Sequence, residues 1–124
     1  MKLFTIDEAN ELLPTVRELL YKIKMLYGYA SQFKKDAKSA ASASQYGGGM
    51  LGGSKYVNSL SEIGKLTMEI DEMGVQLKDY ERGLIDFPFR RNGKFALLCW
   101  QFDDGDEILW WHDLEAGFAG RQPL

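Results

Sequence analysis

Between residues 5 and 40 the apolar positions recur every seven residues. One column is Ile6, Leu13, Leu20 and Tyr27; a second is Ala9, Val16, Ile23, Ala30 and Ala37; a third is Leu12, Leu19, Leu26 and Phe33. Three such columns predict one long helix with an apolar face wider than a two-helix seam. Thr5 and Glu8 have the spacing of a capping box at its start. Pro14 removes one helical backbone bond, so it predicts a bend or a restart after the first turns. Residues 41–54 are rich in Ser, Ala and Gly and read as a flexible linker. Its glycines lack the Gly-Lys-Ser/Thr order of a phosphate loop. Residues 55–82 read as a second helix, with Tyr56, Ile63, Ile70 and Leu77 in one column and Leu66, Met73 and Tyr80 in another. Gly64 and Gly74 would let the two helices approach closely, and Gly83 suits the left-handed residue that ends a helix. The simplest arrangement is an antiparallel hairpin of two long helices.

From Leu84 the period changes to two. Leu84–Phe87 reads as a short strand stopped by Pro88, and Asn92-Gly93 is a strong tight-turn signal. Residues 94–102 and 107–112 read as further strands, joined through the acidic turn Asp103-Asp104-Gly105-Asp106. Lys2–Phe4 is a candidate extra strand, and residues 113–124 an irregular tail. The expected fold class is α+β: a single domain over 1–124 with a long helical hairpin packed on a small antiparallel sheet occupying 83–124.

The strands are apolar on both faces. Phe95, Leu97 and Cys99 point one way and Ala96, Leu98, Trp100 and Phe102 the other, while Ile108 and Trp110 oppose Leu109 and Trp111. A half-exposed sheet would alternate with polar residues. The hairpin can cover one face; the other needs the tail, a ligand or a second subunit. On this ground the sequence predicts a homodimer, with Trp100, Trp110, Trp111 and Phe118 as candidate interface anchors.

Length and composition then narrow the class. A chain of 124 residues buries about two thirds of its surface on folding, enough for stability without a disulfide or metal staple. No apolar run approaches the length of a membrane span, and acid interrupts the N-terminal segment where a signal peptide is apolar, so a cytoplasmic location is expected. The net charge of −3 opposes nucleic-acid binding through phosphate neutralisation. Cys99 is the only cysteine and His112 the only histidine, which excludes an internal disulfide and a Cys-rich zinc site.

The motifs Gly83-Leu84-Ile85-Asp86-Phe87-Pro88, Leu98-Cys99-Trp100, Trp111-His112 and Gly117-Phe118-Ala119-Gly120-Arg121-Gln122-Pro123 resemble a bacterial family known as the domain of unknown function numbered 2203. The opening Thr5-Ile6-Asp7-Glu8-Ala9 fits as well. The resemblance implies a small cytoplasmic bacterial protein and supplies no activity. It draws attention to Asp86, Cys99, Trp100, Trp111, His112, Gly120, Arg121 and Gln122.

Each candidate site has a structural reading beside a functional one. His112 with Asp86, Asp113 and Glu115 suits a metal, the step from His112 to Glu115 placing both on one face if the chain turns helical there; the structural reading is a hydrogen-bonded core histidine. Cys99 and His112 suit a nucleophile and base, against Cys99 as a small buried hydrophobe. Asp103, Asp104, Asp106 and Glu107 attract calcium or form a solvated turn. Arg90, Arg91 and Lys94, with Phe87 and Phe89, suit single-stranded nucleic acid or a solvated turn. Arg121, followed by Gln122, pairs with Asp86 or Glu115 to pin the tail, or holds a ligand carboxylate or phosphate. The leading expectation is a non-enzymatic oligomeric interaction protein with no cofactor. The alternative is a small-molecule or metal-binding protein, enzymes included, with a site around Asp86, His112 and Arg121.

Overall fold

The computed structural model describes residues 1–43 and 53–124. Helix α1 spans Ile6–Ala43 and continues through Pro14. The predicted capping box forms: the Thr5 backbone N–H donates to Glu8 Oε1 (2.8 Å) and the Glu8 N–H to Thr5 Oγ1 (3.0 Å). Most of the predicted linker, residues 44–52, lies outside the described residues. Helix α2 spans Gly53–Glu72 and returns along α1. The antiparallel sense shows in Phe33, late in α1, stacking on Tyr56, early in α2, with ring centroids 4.8 Å apart.

The second helix ends ten residues earlier than its period predicts. It ends at Glu72, where Gly74 takes a left-handed conformation (φ +87°) and the Val75 N–H closes back on the Ile70 carbonyl (3.3 Å). Gly74, and not Gly83, is therefore the helix terminator. Leu77 and Tyr80 fall on the helical columns by coincidence; strand β1 occupies Gln76–Asp79. Gly83 instead sits in the β1–β2 turn at φ +60°.

Five antiparallel strands follow in chain order: β1, β2 (Leu84–Arg91), β3 (Lys94–Trp100), β4 (Trp110–Asp113) and β5 (Gln122–Pro123). Asn92 and Gly93, both at positive φ, form the two-residue turn between β2 and β3. Pro88 does not stop β2 as expected. It pairs with Leu97 of β3 on one side but lies beyond the end of β1 on the other, where no strand needs its missing N–H, and its carbonyl accepts from the Phe4 backbone N–H (2.8 Å). Lys2–Phe4 makes that contact without becoming a strand.

One sheet face meets the helices. Ile85, Phe87, Phe89, Ala96, Leu98 and Trp100 pack there against Ala9, Leu13, Val16, Leu20, Ile23, Leu66 and Ile70. These are the apolar positions of alternate strand residues and of the α1 columns, so the two periods meet in one core. Trp100, a candidate interface anchor, is fully buried in this core and unavailable to a partner.

Candidate functional site

The opposite face carries the polar chemistry. Asp86 on β2 stands directly across from Cys99 on β3, and His112 on β4 pairs with Leu97, two residues along. Directly paired residues, and residues two apart on one strand, share a face. Asp86, Cys99 and His112 therefore project together, away from the helices. They are 3%, 1% and 2% exposed, and their ligand-type atoms lie within 4.8 Å of one another.

The hydrogen bonds define protonation. His112 Nδ1 lies 2.7 Å from the Asp113 carbonyl oxygen. A carbonyl only accepts, so Nδ1 carries a proton and donates it. His112 Nε2 lies 3.1 Å from Asp86 Oδ1. Two lone pairs do not face each other at that distance in a buried site. A proton or a metal cation belongs between them. The Cys99 thiol is pushed up to about 12, first by burial and then by the adjacent Asp86 carboxylate, which also accepts its hydrogen bond; the Arg121 cation opposes the shift.

That environment fits the reading of Cys99 as a buried small side chain better than the nucleophile–base one. Cys99 is buried, its thiol partner is Asp86, and its proton is held far above neutral pH. Glu115 also leaves the metal set. His112 lies on a strand, so the helical step to Glu115 does not exist, and Glu115 is exposed. Cys99, which alternation places beside Leu97 on the face away from Trp100, takes its place.

Arg121 does not pair with Asp86 or Glu115. Its Nη2 donates to Asp104 Oδ2 (2.7 Å), both side chains being only 9% exposed. Asp104 Oδ2 also accepts from the Gln101 backbone N–H (2.9 Å), closing the short 3-10 turn Phe102–Asp104. Asp106 binds Arg17 (2.8 Å). Two of the four acids offered for calcium are thus engaged by arginines. The guanidinium of Arg121 stacks between Trp110 and Phe118, 4.9 and 4.8 Å from their ring centroids, and lines a shallow hollow of about 300 Å³ with Asp104 and Ala119. Gln122 is exposed in β5, opposite Trp111.

The remaining basic and aromatic candidates serve each other. Arg90 lies over Phe95 and Arg91 over Trp111, at 5.1 and 4.5 Å. On the outer sheet face Leu84, Leu97 and the three polar side chains are buried within one chain, while Phe95 on the same face is exposed. The burial of these residues, on the face that motivated the homodimer, does not itself require a second subunit.

No curated protein and no solved structure matches the chain. The family model described as an uncharacterized conserved protein, DUF2203, matches residues 2–124, essentially the whole length. The chain that carries this buried aspartate, cysteine and histidine on three adjacent strands belongs to the DUF2203 family.

Proposed function

We propose that the protein binds a divalent transition metal, of the zinc class, through Asp86, Cys99 and His112. The carrying observation is the 3.1 Å approach of His112 Nε2 to Asp86 Oδ1 while Nδ1 is already committed as a donor. A histidine that ligates metal through one nitrogen commonly donates the other N–H to a carbonyl or carboxylate, which fixes its tautomer. The Asp113 carbonyl supplies that support. Thiolate, imidazole and carboxylate together suit zinc, and four-coordinate zinc leaves one further position for water or another ligand.

Charge favours the same reading. A dication with the Asp86 carboxylate, the Cys99 thiolate and neutral His112 forms a neutral cluster, which is the arrangement a buried site tolerates. Binding displaces the thiol proton, and the nearby Arg121 cation favours the thiolate that results.

The test is metal content and its dependence on Cys99. Protein purified without an affinity metal is dialysed against buffered zinc, and bound zinc is counted by native mass spectrometry. About one ion per chain is expected, with Cys99→Ala losing at least a hundredfold in affinity while keeping the native circular dichroism. Cobalt(II) replacing zinc should show a sulfur-to-metal absorption band. Zinc uptake by Cys99→Ala equal to wild type would overturn the proposal.

A second reading, a self-associating interaction protein, rests on the second helix. Val57, Leu60 and Met68 are exposed at helical spacing around Gly64, and among the described residues a Cβ at that glycine would have no neighbour within 4 Å. Light scattering tests it: Leu60→Glu should dissociate a dimer, and a monodisperse wild-type monomer at the highest soluble concentration removes the reading.

A further inference from the structure

The polar cluster is closed off from solvent, so a path to it has to open. Trp110 pairs with Cys99 and shares its sheet face. The Arg121 guanidinium lies over the Trp110 ring, which brings the tail back across that face beside the cluster. Arg121 is in turn paired with Asp104, both side chains being only 9% exposed. The tail's other holds are few. β5 spans only Gln122–Pro123, the Leu124 N–H donates to the Leu109 carbonyl (3.0 Å), and Phe118 sits under Arg82 at 4.0 Å. An ion pair nine-tenths buried between stacked rings is therefore the strongest single fastening of this segment.

We infer that the C-terminal tail is a lid on the Asp86–Cys99–His112 cluster, latched by the Arg121–Asp104 ion pair, and that metal enters and leaves when this latch opens. The inference rests on the metal reading for its ligand, but the lid itself is a statement about access to Cys99. Segments that open below the free energy of global unfolding are those with few contacts, and the latch decides how far below the tail lies.

The experiment uses the metal-free full-length protein and Ellman's reagent, which reports exposure of the single thiol. Asp104→Asn removes the charge and keeps an oxygen able to cap Gln101. It should speed labelling at least tenfold, and Arg121→Gln should do the same. Leu66→Ala lowers global stability from the helical hairpin, away from the tail, and should leave labelling within about twofold of wild type when global unfolding is rare. Wild-type labelling rates in Asp104→Asn would overturn the lid. So would equal acceleration by Leu66→Ala, because Cys99 would then be exposed by global unfolding alone. On zinc-loaded protein, release to a chromophoric chelator should accelerate in the same variants and by a similar factor. A wild-type protein that takes up no zinc while the labelling pattern holds would sink the metal reading and still support the latch.

Discussion

His112 Nε2 and Asp86 Oδ1 meet at 3.1 Å across three strands, with both side chains at least 95% buried. With metal absent a hydrogen bond joins the two. Removing one partner of such a pair leaves an uncompensated buried group, which typically costs about 3–5 kcal/mol. Asp86→Ala in metal-free protein should cost about 3 kcal/mol, because the buried His112 Nε2 loses its partner and the Cys99 thiol is only a weak substitute. The pair should also be coupled: in urea titrations of Asp86→Ala, His112→Ala and the double variant, the coupling should reach at least ~1 kcal/mol. Additive costs would show that the two side chains do not interact in solution.

The two arginine–aspartate pairs should differ sharply in worth. Arg17–Asp106 has the same kind of geometry as Arg121–Asp104, but the Asp106 side chain is 90% exposed and that of Asp104 is 9% exposed. Exposed pairs contribute little because water already solvates both charges. Asp106→Ala should therefore change stability by less than about 0.5 kcal/mol. Asp104→Ala strands the Arg121 guanidinium and leaves the Gln101 N–H without its cap, and should cost about 3 kcal/mol. Equal midpoints for the two variants in urea would contradict the burial argument.

Much of this site was within reach of the chain's own arithmetic. A two-residue turn at Asn92-Gly93 determines the β2–β3 register, and counting outward from it brings Asp86 opposite Cys99. The helical hairpin followed from seven-residue columns, whose inner members Leu13, Val16, Leu20 and Ile23 are indeed fully buried. The end of α2 was hidden because Leu77 and Tyr80 continue the columns by chance, while the decisive conformation belongs to Gly74. His112 could not be aligned by counting, since an irregular segment with a 3-10 turn separates β3 from β4. Arg121 found Asp104 for the same reason. Long-range pairings through irregular chain carry no periodic signal.

Gly83 and Gly93 separate the cost of a left-handed backbone from the cost of a close approach. Both have positive φ, +60° and +79°. Among the described residues a Cβ at Gly93 meets nothing within 4 Å, so Gly93→Ala should cost about 1 kcal/mol of backbone strain. A Cβ at Gly83 would lie 2.5 Å from the Phe102 ring. That ring cannot step aside easily, being stacked on Tyr21 at 4.7 Å and set edge-on to Trp100 at 5.9 Å. Gly83→Ala should cost about 3 kcal/mol, in the range of a clash within a packed cluster. Thermal unfolding of the two variants decides it, and similar losses would mean that Phe102 is not held as described.

The capping box should give α1 a recognisable acid response. The Thr5 backbone N–H, and then its hydroxyl, hold the Glu8 carboxyl below its usual value of 4.5. A carboxylate depressed in the folded state stabilises that state above its unfolded value and loses the contribution as pH falls through the folded value. The window therefore opens near pH 4.5 and extends downward. Glu8→Gln keeps a side-chain oxygen but has no charge to lose. Wild type should exceed it in urea midpoint at pH 7, and the gap should shrink once acid protonates Glu8. A gap of constant size down to the acid limit of folding would show that the Thr5–Glu8 contact does not form in solution.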